Sequence, residues 1–391
     1  MVRVPVSRLV FSLSLLASAC APDPSTVVDV TELADGGVDL TEQIPEICGD
    51  GIDQDENGVA DDVCNRVFVT PVAIPLADLV VDHDPLAALD ARCNGFASAA
   101  GLSGHFVGWV STPTVDARDR LGSARGFVRI DGRPIAADVD DFANGHHLYP
   151  ITFGPSGETL DVPVATASAI GGVHDDDDCG GYANLDDTHS IYSGYAVATG
   201  TLFSSNGYPS CDEPHYFYCV QTDYDAELAP RPIPNDAHVA FVSTAVFNNG
   251  TGVVGADAIC ASEATAAGLV GEFIALLPGK GASAISRLVS DGRPVVRTDG
   301  VVIADDEATF GVPTWRAPLA VVADGSTTIG NSLVWTGAVT PTSLSNGSCL
   351  GFTVTSSMSS AAAVIAGRAW PTNPPGPNPC SSSAQLYCIS R

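Results

Sequence analysis

Eight cysteines fall into two sets whose internal spacings nearly coincide. From Cys93 the gaps are 86, 32 and 8 residues, to Cys179, Cys211 and Cys219; from Cys260 they are 89, 31 and 8, to Cys349, Cys380 and Cys388. Matched spacing of this kind marks a duplicated module, and the residues between the cysteines agree. ARCNGFASAAGLSGHFVGWV (91–110) aligns with AICASEATAAGLVGEFIALL (258–277). Each stretch predicts a helix that stops at Gly101 or Gly268, the residue type that accepts the left-handed turn after a last helical residue. In the first copy Leu86, Leu89, Cys93, Phe96 and Ala100 recur at helical spacing, behind Asp84 as N-cap and Pro85 at the first position. HFVGWV and EFIALL read as short buried strands, and a short helix follows in each copy, ending at Leu121 or Leu288. FVRIDGRPIA (127–136) and VVRTDGVVIA (295–304) predict hairpins turning at Asp131-Gly132 and Asp299-Gly300. The modules open on RVFVT (66–70) and VAFVS (239–243), and close on YFYCV (216–220) and LYCI (386–389).

The compartment follows from the N-terminus. Arg3 and Arg8 precede an apolar run, Leu9–Leu16, and a small-residue cleavage site, Ala17-Ser18-Ala19. This reads as an export signal, residues 1–19. Cys20 directly follows, which predicts a bacterial lipoprotein whose Cys20 carries lipid; Ala17-x-Ala19 also suits ordinary secretion. The expected location is the outer membrane or cell surface of a Gram-negative bacterium, with membrane contact only through the lipid. Ten cysteines then remain, and an even number in an exported chain reads as a disulfide framework. Residues 20–46 read as a disordered tether and 221–237, acidic and Pro-rich, as a semi-rigid linker. The formal net charge of −29 argues against a nucleic-acid partner, because phosphate would be repelled. It suits divalent cations.

CGDGIDQDENGVADDVC (48–64) concentrates that acidity between two cysteines. Asp53, Asp55, Asn57 and Asp61 place side-chain oxygens at positions 1, 3, 5 and 9 of a calcium loop. Gly58 stands at the sharp turn of position 6, and Val59 offers a carbonyl at position 7. Position 12 is Cys64 rather than Glu, so Asp61 or Asp62 has to close the coordination sphere. A Cys48–Cys64 disulfide would hold the loop, residues 47–65, in place of flanking helices. The bound ion expected is a structural Ca²⁺; the bland alternative is a solvated acidic turn.

The opening strand, the Cys-bearing helix ending at Ala-Ala-Gly-Leu, EFIALL, the helix ending in Arg-Leu, VWTG (334–337) and LYCI together carry a resemblance. Residues 238–391, and less closely 66–220, resemble the endostatin-like domains at the C-terminus of collagens XV and XVIII and their bacterial surface-lipoprotein relatives. The acidic loop is similar to the Cys-flanked Asp-rich repeats of secreted bacterial proteins. The resemblance implies an α+β chain with two tandem C-type-lectin-like, disulfide-bonded domains after a signal peptide and short acidic stalk. Spacing alone allows three connectivities per module. The resemblance implies the nested one: Cys93–Cys219 with Cys179–Cys211, and Cys260–Cys388 with Cys349–Cys380. The chain departs from the pattern where Ile170-Gly171-Gly172 stands in place of Trp335-Thr336-Gly337. It also lacks the Trp-Asn-Asp motif of sugar-binding lectins and the N-terminal histidines that hold zinc in endostatin, so neither activity is carried over.

Other candidate chemistry is weaker. HDDDDC (174–179) reads as a solvated loop, and Gly145-His146-His147 as a surface loop whose adjacent rings diverge. Trp109, Trp315, Trp335 and Trp370 read as packing residues before a carbohydrate groove. No H-E-x-x-H, G-x-S-x-G, S-x-x-K or P-loop motif occurs. The expected function is non-catalytic binding of an extracellular glycan or protein at the cell surface. The alternatives are an exported enzyme acting on polysaccharide, or a purely structural envelope protein.

Overall fold

Two sheets with the same strand order are built from the two halves of the chain. A computed structural model describes residues 47–54, 56, 58, 60–80, 84–229, 231–312, 315–327, 333–344, 348–356, 360–361, 363–365 and 378–391. The expected signal, Cys20, the tether, Asp55, Asn57, Val59 and Trp370 lie outside these residues. In the first module the order is Phe106–Gly108, Tyr218–Gln221, Asn65–Val69, Phe127–Arg129, Pro134–Ala136. In the second it is Phe273–Ala275, Ser383–Ser390, His238–Val242, Val295–Arg297, Val302–Ala304. The opening strand runs antiparallel to the closing strand and parallel to the first hairpin strand in both copies. The second sheet also pairs its long closing strand with Leu333–Trp335. The chain is therefore mixed α and β, mostly sheet with few helices. None of the described helices is long and apolar enough to cross a membrane.

The first helix of the first module forms where the capping signals place it, and both modules' first helices end at their predicted glycine. Pro85–Ala99 starts behind Asp84, whose carboxylate accepts the Ala87 N–H. It ends as Gly101 takes φ +78°, letting the Leu102 N–H reach the Ala97 carbonyl at 2.9 Å. Gly252–Ala266 ends the same way at Gly268, with Leu269 bonded to Ala264. Residues four apart make the buried stripe: Leu89, Cys93 and Ala97 in one copy, Ala256, Cys260 and Ala264 in the other. That stripe lies on the sheet, and its central cysteine bonds the closing strand. All five disulfides are formed: Cys48–Cys64, Cys93–Cys219, Cys179–Cys211, Cys260–Cys388 and Cys349–Cys380, with Cα–Cα distances from 5.4 to 5.9 Å. The pairing is the nested one.

Two arginine clamps repeat with the scaffold. Arg120 reaches Asp90 at 2.5 Å and the Gly108 carbonyl, while Asp90 accepts the Gly108 N–H. Arg287 does the same to Asp257, at 2.6 Å, and to the Ala275 carbonyl at 2.8 Å. Each clamp fixes helix to edge strand with charge-assisted bonds. At the hairpins, buried Arg129 pairs with Asp131 and bonds the Pro150 carbonyl; buried Arg297 pairs with Asp299 and bonds the Pro318 carbonyl. Each turn closes through a Gly N–H, Gly132 to Arg129 and Gly300 to Arg297, both at 2.9 Å.

The acidic loop and the linker pack against these sheets. Ile47 and Cys48 pair in parallel with Glu227 and Leu228, and Cys48, Cys64, Val128 and Ala226 share one apolar cluster. The modules touch where Tyr149 packs with Val301 and Ala317 and its hydroxyl accepts the Val302 N–H at 3.2 Å.

In the chain-entropy picture the outer bond of a module, closing 126 residues in the first copy, is worth about 5 kcal/mol, and an inner bond closing 32 residues about 3.5–4 kcal/mol. The double variant Cys93→Ser/Cys219→Ser is expected to melt lower than Cys179→Ser/Cys211→Ser in scanning calorimetry. An equal or reversed order counts against the outer bond as the main constraint.

Candidate functional site

The acidic loop is held by its own carboxylates. Asp61 is buried, and its two oxygens accept the Gly49 N–H at 2.6 Å and the Gly51 N–H at 3.1 Å. Its backbone carbonyl accepts Arg66 at 3.0 Å. The side chain thus clasps the Cys48 end of the loop to the Cys64 end. Asp53 accepts the Gly58 N–H at 2.7 Å, with Gly58 at φ +96°, which is the tight Gly turn that a calcium loop makes at that position. Asp62 follows Asp61 and is half-buried. Asp55, Asn57 and Val59 fall outside the described residues.

The other sequence candidates separate. In 174–179 three of the four acids are engaged within the loop: His174 bonds Asp178 at 2.9 Å, Asp178 caps the Gly181 N–H, Asp177 accepts the Ser190 hydroxyl, and Asp175 accepts the Asp177 N–H. These groups organise a loop. His146 faces Asp141, whereas His147 is buried and donates through Nε2 to the Phe142 carbonyl at 3.0 Å. His147 therefore lies in the core and not on the surface loop expected for residues 145–147. Trp109, Trp335 and Trp315 are buried, Trp335 bonding the Phe247 carbonyl and Trp315 stacking on Phe310 at 4.7 Å. Among the described residues the exposed aromatic is instead Tyr208, 61 % exposed and 5.0 Å from Tyr192, in the loop closed by Cys179–Cys211.

One cluster escaped the sequence reading. His238, the first residue of the second module's opening strand, is fully buried. Its Nδ1 lies 2.9 Å from the Ser390 carbonyl, which can only accept, so Nδ1 carries the proton. Its Nε2 lies 3.2 Å from Asp291 Oδ1 and 3.2 Å from Glu307 Oε1. The three ligand-type atoms all fall within 4.8 Å of one another. Glu307 is oriented by the Asp291 N–H, at 2.8 Å, and by the Gly292 N–H. It opens the short helix Glu307–Phe310, capped by Asp306. Asp291 Oδ2 is held by Arg293 at 2.6 Å. Burial pushes the Asp291 carboxyl up, but hydrogen bonds with Glu307, Arg293 and His238 outweigh it and hold the group down to about 2, so it stays ionised. The signal that could have found the cluster is the comparison of the two copies, since Asn65 stands where the second module has His238.

The first module fills the same corner differently. Asn65 donates to the Arg125 and Tyr224 carbonyls and accepts the Tyr224 N–H, so backbone groups satisfy it. Strand register pairs Asn65 with Phe127 and His238 with Val295, which sets Ser123 against Asp291; the capped helices set Val139 against Glu307. Beside it lies an open cleft of about 610 Å³ lined by Arg118, Asp119, Ser123, Arg125 and Asp225. A scan against models of known protein families returned no match, and no curated protein gives a significant sequence match.

Burial pushes His147 down to about 3, against the opposing Phe142 carbonyl. The unfolded ring titrates near 6.5, so the folded chain is at full advantage above that pH. Below it the unfolded chain takes up the proton first, and stability falls towards pH 3 by about 1.4 kcal/mol per unit. His147→Gln keeps a donor and removes the titration. Urea unfolding at pH 7.5 and 4.5 should show wild type losing more than the variant; parallel losses refute this.

Proposed function

We propose that the chain is an exported binding protein of the bacterial surface, anchored through lipid on Cys20. It presents two endostatin-like, C-type-lectin-like modules to an extracellular glycan or protein, from an acidic loop stiffened by Ca²⁺. The observation that carries this reading is the loop between Cys179 and Cys211. It is pinned at both ends to a locked scaffold and displays Tyr208 packed at a tilt against Tyr192, with Asp175 and Asp177 nearby. Long loops on a rigid frame are where binding residues concentrate. An exposed aromatic face beside carboxylates suits the apolar face and hydroxyls of a sugar. The nested disulfides support export, because such bonds persist only in oxidising compartments.

Two measurements test the two parts. On glycan and matrix-protein arrays, the oxidised chain should give defined signals that fall at least tenfold in Tyr208→Ala with unchanged melting. Arrays without signal, or with signal indifferent to Tyr208, defeat the binding reading. Calorimetric titration of the full chain should show Ca²⁺ uptake with an affinity of about 10⁻⁴–10⁻³ M, as in extracellular modules. Asp53→Ala should weaken it, and an absence of heat at millimolar Ca²⁺ leaves the loop a plain acidic turn.

A further inference from the structure

We infer that the Tyr192–Tyr208 face of the first module takes a glycan whose sugars carry free, protonated amines. The inference rests on the binding reading of that loop and narrows its ligand class. Charge is the first ground. Residues 134–230 hold sixteen Asp and Glu and no Lys or Arg. Eight of those acids fall between Asp175 and Glu213, in and around the loop closed by Cys179–Cys211. Among the described residues no arginine or lysine ion pair reaches these eight; their ion-pair partners are His174 and His189. Such a field draws a cation and repels an anion. The second ground is the aromatic surface. Tyr208 is 61 % exposed, and its ring lies 5.0 Å from Tyr192 at a tilt of 32°, so much of it is open to a ligand. Tyr192 first, and more weakly Asp175 and Asp177, push the Tyr208 hydroxyl above its usual value, which places both carboxylates beside the ring. An aromatic ring stacks on the apolar face of a sugar, and an ammonium on that sugar is drawn to the ring and to the carboxylates together.

The loop holds these groups in one fixed relation. The Tyr192 N–H donates to the Asp177 carbonyl at 2.6 Å, and the Tyr192 carbonyl accepts the Thr166 and Ala167 N–H groups at 2.9 and 3.0 Å. Asp177 accepts the Ser190 hydroxyl, and Asp175 accepts the Asp177 N–H. Tyr208 follows Gly207, which exchanges backbone bonds with Ser193 at 3.0 and 3.1 Å. A sugar carries its amine at a set distance from its apolar face, so it uses a ring and carboxylates that are fixed in advance. A lysine or arginine on its long flexible stem has no need of that order. This favours a glycan over a basic peptide.

The test titrates the full oxidised chain at pH 6 with a glucosamine hexamer and with its fully N-acetylated counterpart, which keeps the sugar faces and removes the charge. The glucosamine hexamer should bind tighter by about tenfold or more, and added NaCl should weaken it. Tyr208→Ala leaves the net charge unchanged and Asp177→Asn removes one carboxylate; each should weaken the glucosamine hexamer by about fivefold or more. Asp236→Asn, an equal loss of charge in the linker, should not. Tyr208 is exposed, so its variant remains informative if Asp177→Asn disturbs the loop. Equal affinity for the two hexamers overturns the amine assignment and leaves the glycan reading standing. So does binding of neither hexamer while other arrayed ligands still depend on Tyr208. Glucosamine binding indifferent to Tyr208 is general attraction to an acidic surface and overturns the site. A hexa-arginine peptide that binds tighter than the glucosamine hexamer, and loses affinity in Tyr208→Ala, gives the face to a basic protein instead.

Discussion

The sulfur bridge from the first helix to the closing strand is the contact on which each module depends. The closing strand is the last to arrive in the chain, yet it lies between the opening strand and the short edge strand. Without it the opening strand has one neighbour and the helix has no complete sheet to cover. Sheet closure therefore waits on the most distant pairing in the module, which is costly in loop entropy. The bridge removes that cost from the unfolded side. The Asp–Arg clamp beside it settles what a bond between two atoms cannot, namely the rotation of the helix over the edge strand.

Much of this frame is readable before any coordinates. The capped helices, the Asp-Gly turns, the opening and closing strands and the duplication all depend on local signals or on spacing along the chain. The connectivity of the cysteines came only through the family resemblance, since three pairings suit the spacing equally. The residues that escaped are those whose partners are remote. His238 lies 53 residues from Asp291 and 69 from Glu307, so no window along the sequence contains the set. Spacing along a calcium loop gives the closing of an ion's coordination sphere to Asp61 or Asp62. The place of Asp61 against the Gly49 and Gly51 N–H groups depends on how the Cys48–Cys64 bond folds the loop back, which spacing does not encode. The linker likewise looked like a spacer, while Glu227 and Leu228 extend the acidic loop as a strand.

The two modules show what duplication holds constant and what it releases. Arg129 and Arg297 sit in the same buried place, each tied to an Asp two residues on and to a proline carbonyl from a neighbouring loop. A charge buried this deeply costs several kcal/mol once its partners are removed, so the hairpin tolerates little there. The first position of the opening strand faces a different constraint. It needs only a polar side chain satisfied from around it, and backbone carbonyls or carboxylates both serve. The frame is thus locked by arginine and sulfur, while the corner beside it is free to diverge.

The distribution of charge carries the same division to the surface. The chain has 17 Lys and Arg against 46 Asp and Glu. Arg120, Arg129, Arg287 and Arg297, four of those few cations, are largely withdrawn into the clamps and hairpins. The cations thus hold the fold together from within, and the excess carboxylates are left to face solvent. A surface made this way repels polyanions and gathers divalent ions within about 8–10 Å at physiological salt. Partners that approach it without penalty are neutral, cationic or bridged by metal.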